Sequence, residues 1–187
     1  LGDGSTRING TAFYYDYTDY QAFLFVGVGG VVINKDADNY GVELEIQTNP
    51  VEGLDIILSG SYFDATVKDV ALRNGSPLPS SDVDPTYAPE LQVTGLVRYG
   101  FDAFGGQMAV QADVSYSDEY YYNLRNFDAD KFPSYTVANA QVSFALNDWL
   151  ATLAVRNLTD ERPGIQGFDL ATLCGCNEVS YRAPRNY

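Results

Sequence analysis

The chain has no histidine. That removes Ser-His and Cys-His nucleophilic pairs and the usual zinc ligand sets. Cationic side chains are scarce: 11 Lys and Arg stand against 25 Asp and Glu, a formal charge of −14. Phosphate backbones need clustered Lys and Arg, so a nucleic-acid partner is excluded. No run of 18 apolar residues occurs, so no helix of the chain is expected to cross a membrane. Runs of Ala, Glu, Lys and Leu at helical spacing are also missing, and no convincing amphipathic helix is found. No pair of carboxylates has the defined partners of a catalytic dyad. The reading is therefore not an enzyme and carries no cofactor.

What the chain does have is aromatic and β-branched residues at period two, with 15 Tyr and 10 Phe in 187 residues. That pattern favours strands. A membrane strand needs only about 10 residues of alternating character, so a spanning barrel stays open. Residues 39–63 read NYGVELEIQTNPVEGLDIILSGSYF. Val, Leu and Ile alternate with Glu43, Glu45 and Gln47, turn at Pro50–Glu52, and alternate back out. The pattern predicts long strands at about 6–26, 40–48, 54–67, 91–102, 107–121, 135–146 and 149–158, with a last strand beginning at Tyr181. A hairpin tip is expected at Gly27, Gly29 and Gly30. Short turns alternate with long connections at 69–88, 122–134 and 159–180. Loops of that length are uncommon in a compact soluble domain, whereas a membrane barrel puts its short turns at one end and its long loops at the other.

Opposed residues of an antiparallel pair face the same side. A turn at Pro50–Glu52 would set Ile46 opposite Ile56 and Glu45 opposite Ile57. Across 103–106, Phe101 meets Met108, Tyr99 meets Val110 and Arg98 meets Gln111. Across Asn147 and Asp148, Leu146 meets Trp149. One apolar face survives all three turns. Its stripe of about 10 residues, tilted near 45°, covers roughly 24 Å of depth, the height of an outer-membrane barrel's apolar band. Tyr40, Tyr62 and Tyr116 lie at the loop end of the stripe, and Phe101, Phe144 and Trp149 at the turn end. Aromatics favour the lipid–water boundary; the competing reading is that they close the ends of a soluble sandwich core.

Val42, Leu44, Ile46, Leu58, Val93, Val97, Val110, Val114 and Val142 are expected to face lipid. Glu43, Glu45, Gln92, Arg98, Gln111, Asp113, Asn139, Gln141 and Arg156 are expected to face a watery lumen or a polar plug. Backbone in lipid must pair every amide, so the sheet must close. Seven strands and the start of an eighth do not close it, and the remainder is expected before Leu1 and after Tyr187. The fold class is all-β: an antiparallel up-and-down transmembrane barrel fragment, an open curved sheet.

The stretch Phe13–Tyr17 (FYYDY), the strand Tyr40–Glu45 (YGVELE), the turn Pro50–Leu54, the step Ala88-Pro89, the run Val155–Glu161 (VRNLTDE) and the final Ala183–Arg185 (APR) follow one another in a telling order. Together they resemble the C-terminal part of a TonB-dependent outer-membrane receptor, across nearly the whole chain. The resemblance implies a barrel on the order of 22 strands filled by an N-terminal plug, in the bacterial outer membrane. It implies active import of a scarce small-molecule substrate such as a metal chelate, with iron–siderophore first and sugars or cobalamin behind. Energy would come through TonB contacting the plug. Neither plug nor TonB box matches any residue here, and the last strand is cut short. Residues 1–187 are thus expected to be the C-terminal portion of the barrel. A passive porin and a soluble glycan-binding β-sandwich are the alternatives.

Three features remain open at this level. Tyr120, Tyr121, Tyr122, Arg125 and Phe127 form the richest candidate for ligand contact in an extracellular loop; equally, these rings extend a strand and pack on neighbouring loops. Cys174 and Cys176 suit a loop disulfide in an oxidising compartment, with free thiols or pairing to another part of the protein as alternatives. Asp82, Asp84, Asp118, Glu119, Asp128 and Asp130 could hold calcium through oxygen ligands, or be solvated loop carboxylates. The facing of residues 6–34 is not readable from the pattern.

The face assignment predicts a sharp asymmetry. In the intact barrel Leu44→Arg near mid-depth should cost roughly 2–4 kcal/mol, and Gln111→Arg far less. An assembly and denaturation comparison of the two variants measures it; equal tolerance contradicts the assignment.

Overall fold

The computed structural model describes residues 5–26, 29–71 and 80–187. The expected tip residue Gly27 and much of the 69–88 connection lie outside those residues. The strands are β1 (Thr6–Val26), β2 (Gly29–Thr48), β3 (Leu54–Ala71), β4 (Ser80–Val83), β5 (Leu91–Ala103), β6 (Gly106–Ser117), β7 (Tyr120–Tyr121), β8 (Lys131–Phe132), β9 (Tyr135–Leu146), β10 (Trp149–Val155), β11 (Gly164–Leu170) and β12 (Cys176–Tyr181). One 3₁₀ turn (Asp128–Asp130) and one four-residue helix, α1 (Ala171–Cys174), complete the elements.

The main sheet is a meander in the order β1-β2-β3-β5-β6-β9-β10, every pair antiparallel, with β4 added beside β3. It is open, with β1 and β10 at its edges. No second sheet packs across it among the described residues; the remaining pairs, β7-β8 and β11-β12, are two-stranded. The sandwich reading is therefore set aside. An isolated bridge from Arg156 to Asn186 continues the meander past β10, which is where an eighth strand starts.

Register follows the sequence at two of the three short turns. Phe101 pairs with Met108, Tyr99 with Val110 and Arg98 with Gln111; Leu146 pairs with Trp149. At 104–105, Phe104 (φ 54°) and Gly105 (φ 78°) both take positive φ, the requirement of a two-residue turn matched to strand twist. The β2–β3 turn departs from expectation by two residues. Ile46 pairs with Leu58 rather than Ile56, and Glu45 with Ser59 rather than Ile57. The cause is Gly53. It takes φ +79° and so belongs inside the loop, as the left-handed third residue of a Val51-Glu52-Gly53 turn closed by Leu54 N–H to Val51 O at 3.1 Å. An even shift keeps each side chain on its face, so the stripe survives.

Strands also run further than the alternation suggested. β2 begins at Gly29, not Tyr40, and β3 reaches Ala71. The 21 residues of β1 span ~65–70 Å, well beyond an apolar band of about 25 Å. The upper part of this sheet is a wall projecting past the stripe. Two bulges re-phase it. One lies between Tyr17 and Tyr20 of β1, with Asp19 at φ 59°; the other lies between Val67 and Val70 of β3, with Asp69 at φ 56°. Each adds one residue, so Ala22, Leu24 and Val70 turn to the same side as Ala37 and Val67. There they meet Val83 and Leu124 in the only buried apolar cluster among the described residues. The expected last strand at Tyr181 is a correction of another kind: Tyr181 ends β12, which pairs with β11 inside the third long loop.

The core thus sits in the loop region, while the strand stripe stays uncovered. Val42 is 53% exposed, Leu44 50% and Leu58 47%, although each has strand neighbours on both sides. Leaving a large aliphatic side chain in water forgoes about 1.5–3 kcal/mol. A contiguous stripe of them marks an interaction surface rather than an ordinary wet face.

Gly53 and Gly105 should separate strain from crowding. A Cβ at Gly53 would lie 2.2 Å from Gly100 O, whereas at Gly105 nothing lies within 4 Å. Gly105→Ala should cost about 1–2 kcal/mol, the left-handed penalty alone. Gly53→Ala should cost clearly more, because Gly53 O also accepts from Gly100 N–H at 2.8 Å and that strand approach must open. Unfolding midpoints of the two variants in the intact barrel test the order.

Candidate functional site: the polar face and its loop canopy

Rows across the sheet place the expected residues. Leu44, Gly60, Val93 and Tyr116 form one row; Ile46, Leu58, Gly95 and Val114 the next; then Ile56, Val97 and Ala112; and then Tyr99, Val110 and Val142. Val42 stands opposite Tyr62. The register therefore brings the apolar set onto one face. On the other, Glu43 stands with Ser61 and Gln92, Glu45 with Ser59 and Thr94, Arg98 with Gln111 and Gln141, and Asp113 with Asn139. Arg156, one residue beyond β10, continues the alternation of Ala154, which pairs with Gln141. Ile57 and Leu96 interrupt this face.

The polar face is bonded across strands. Asn9 donates to Glu45 at 3.2 Å and Gln47 donates to the same carboxylate at 3.0 Å. Asn139 donates to Asp113 at 2.6 Å, and Gln141 to Gln111 at 3.4 Å. Arg98 reaches Asp55 at 3.4 Å. The contacts of Asn9, Gln141 and Arg98 are exposed and worth little alone, whereas those of Gln47 and Asn139 are partly buried. Their effect is to make the face wettable and orderly.

Above it the three long connections lock together. Asn126 donates to Asp84 O at 3.1 Å and its Oδ1 accepts Asp84 N–H at 2.6 Å. Gly167 N–H donates to the Tyr87 hydroxyl at 3.1 Å. Tyr122 packs on Phe132 with ring centroids 4.9 Å apart and donates to Ala129 O at 2.9 Å. Asn177 from β12 donates to Tyr122 and Asp130, at 2.8 and 3.0 Å; Asn123 donates to Asp169 of β11 at 2.8 Å. Cys174 and Cys176 are joined in a disulfide, their Cα atoms 5.3 Å apart, and with α1 they close the tip of the β11–β12 hairpin.

Residues 1–158 match the family model described as TonB dependent receptor-like, beta-barrel. The chain belongs to the TonB-dependent receptor family, in its β-barrel domain. Solved structures of similar fold include the ferric yersiniabactin uptake receptor FyuA of Yersinia pestis, with 18% identity and a TM-score of 0.78 over 97% of this chain. The siderophore receptor PiuA of Acinetobacter baumannii has 17% identity and a TM-score of 0.70 over 99%. The ferric-catecholate import receptor Fiu of E. coli K12 has 20% identity and a TM-score of 0.69 over 99%. This chain spans only about a quarter of each: 26%, 25% and 24% respectively. The family is one of receptors rather than enzymes.

Within this receptor barrel, the loop residues picked from sequence divide. Tyr122 and Arg125 are 7% and 6% exposed, and Tyr122 is taken up in holding the loops together. Tyr120 donates to Gly164 O at 3.2 Å. Tyr121 lies under the Lys131 ammonium, 4.9 Å from its ring centre. Phe127 alone of the five stands largely free, 41% exposed. The acidic residues divide: Asp84, Asp118 and Glu119 line one cavity, whereas Asp82 accepts Asp69 N–H and Asp130 is buried against Asn177; Asp118 also accepts Glu119 N–H, and Glu119 pairs with Lys131 at 2.7 Å. Among the described residues no three carboxylate or thiol side chains converge as a metal site.

Sequence reading missed Phe13, Tyr15, Tyr17, Tyr20 and Phe63 as site material. Their rings succeed one another at 5.7–6.3 Å along the upper polar face. The odd-numbered spacing of Phe13, Tyr15 and Tyr17 signals one shared face. Only the bulge at 18–19 adds Tyr20 to it, and bulges are not legible in a period-two pattern.

Burial first, and the neighbouring Asp169 second, hold the Asp130 carboxyl above the ordinary carboxylate range. The folded loops therefore hold this proton more tightly than the unfolded chain does. The stabilisation this brings is full below the unfolded carboxyl value, about 4, and is lost as pH rises through the elevated folded value. Hydrogen exchange at the Tyr122 amide, which donates to Asp130 O, should slow on acidification from neutral pH after correction for intrinsic rates. Asp130→Asn should flatten that dependence; an unchanged slope contradicts the assignment.

Proposed function

We propose that this chain is the C-terminal portion of an outer-membrane receptor that imports a scarce small-molecule substrate, an iron–siderophore complex before sugars or cobalamin, using energy delivered through TonB. The plug and TonB box would belong to other parts of the parent protein, and the incomplete strand at Asn186 would continue the barrel wall. One observation carries the reading: a single register sorts Leu44, Leu58, Val97 and Val110 onto one face and Glu43, Glu45, Arg98, Gln111 and Asp113 onto the other. Such a sheet suits lipid on one side and a polar interior on the other. The apolar face would contact outer-membrane lipid, and the loop canopy would meet the substrate first.

A passive porin shares the two-faced wall. The loops favour the receptor, because they are not open chain but an interlocked layer stitched by Tyr87, Asn123, Asn126 and Asn177. Such a layer can hold a ligand in place, which diffusion does not need. The test uses the full parent protein in cells. Uptake of labelled ferric chelate should stop when the proton gradient is collapsed and when TonB is removed. Uptake that persists in both conditions assigns the protein to the porin class.

A further inference from the structure

We propose that a cavity at the loop end of the polar face is a ligand subsite for a ring bearing hydrogen-bond donors, ranked cation over neutral over anion. This rests on the receptor reading above and narrows the chemistry of its substrate. The cavity holds about 290 Å³ between β1, β2 and β3. Its floor is made of small residues, Ala37 and Ala65. Tyr17 and Tyr20 line it together with Phe63, and Pro85 and Ala88 belong to the chain between β4 and β5.

Three observations fix the ligand chemistry. The first is the rings. Tyr15 and Tyr17 stack at 5.8 Å, and Tyr17 and Tyr20 follow at 6.3 Å. Yet Tyr15, Tyr17 and Tyr20 stay 51%, 40% and 36% exposed. Their exposed faces can take a further ring. The buried cluster above, by contrast, uses Ala22, Leu24, Val67 and Val70 to fill its own space.

The second observation is Asn39, which pairs with Tyr15 and Ala65 and lines the cavity. Its Oδ1 is shielded from solvent and has no hydrogen-bond partner. A buried acceptor left unmade costs about 1–3 kcal/mol, so the position is poised for an N–H or O–H donor.

The third is charge. The adjoining cavity shares Phe63, Ala65, Pro85 and Ala88 with this one and is lined by Asp64, Asp84, Glu90, Asp118 and Glu119. Its one cation, Lys131, is bound to Glu119 at 2.7 Å. Burial, with Asp64 next, raises the Asp84 carboxyl, as a site crowded with negative charge requires. Tyrosine faces add their own negative potential. An anion entering here meets carboxylates, ring faces and a lone acceptor, and finds no free cation among the lining residues.

Isothermal titration of the full parent receptor with benzylammonium, benzyl alcohol and benzoate tests this, since the three share one ring and differ in charge. Benzylammonium should bind at least about fivefold more tightly than benzoate, with benzyl alcohol between. Tyr17→Ala should weaken benzylammonium about tenfold, and Asn39→Ala by a smaller factor. Ala65→Leu, which fills the floor and leaves the rings, should abolish binding, with heat-resistant migration of the barrel checking the fold of every variant. Equal binding of the three probes, preference for benzoate, no binding of any probe, or folded Tyr17→Ala and Ala65→Leu proteins that still bind would overturn the proposal. Failure here leaves energised uptake untouched. Conversely, the predicted order with gradient-independent uptake would keep the subsite and remove the energised-receptor reading.

Discussion

A backbone amide in lipid has no water to fall back on, and the barrel wall we propose is organised around that constraint. Each unsatisfied group costs several kcal/mol in hydrocarbon, so the strands must pair continuously and the sheet must have no exposed edge at membrane depth. The meander from β1 to β10 meets this internally, with unbroken antiparallel ladders through the stripe. The outer sides of β1 and β10 do not meet it within these residues. The bridge from Arg156 to Asn186 continues the ladder in the only direction left on that side. In the receptor we propose, the same interaction that orders the wall would demand closure by further strands.

Strand pairing also explains why two kinds of folding coexist in one sheet. At the level of the stripe the apolar residues point away from any core, and stability there depends on the surrounding phase. Above it, two bulges turn Ala22, Leu24 and Val70 inward, and a small core forms as in a water-soluble protein. The loops then hold one another by side-chain bonds from Asn123, Asn126 and Asn177. The 118–134 loop draws Asp130 into this packing at a cost in charge burial.

Much of this was legible in the residues. Alternation of Val42, Leu44 and Ile46 with Glu43 and Glu45 gave the strand and its two faces, and the two-residue turns fixed the register around Phe104 and Asn147. The β2–β3 register was misread by two because Gly53 could be either a paired residue or a left-handed loop residue, and only its close approach to Gly100 decides. A strand beginning at Tyr181 was expected after a loop at 159–180; instead the loop itself contains a hairpin, β11–β12, that ends at Tyr181, and such pairing within a loop has no long alternating stripe to announce it. In the candidate site, the burial of Tyr122 depends on residues far along the chain: Gly167, which its ring approaches closely, and Asn177, which donates to its hydroxyl. No local pattern encodes that. The ring series from Phe13 to Tyr17 was visible as a motif, but its meaning depended on a facing that the bulge conceals.

The central claim is that alternate residues of one strand see lipid and water. Spin labels at positions 43, 44, 45 and 46 of the parent receptor in bilayers test it directly, with Cys174 and Cys176 kept oxidised. The account predicts relaxation by oxygen at 44 and 46 and by a water-soluble nickel chelate at 43 and 45, a period of two in opposite phase. All four labels responding alike, or the phase reversed, would contradict it.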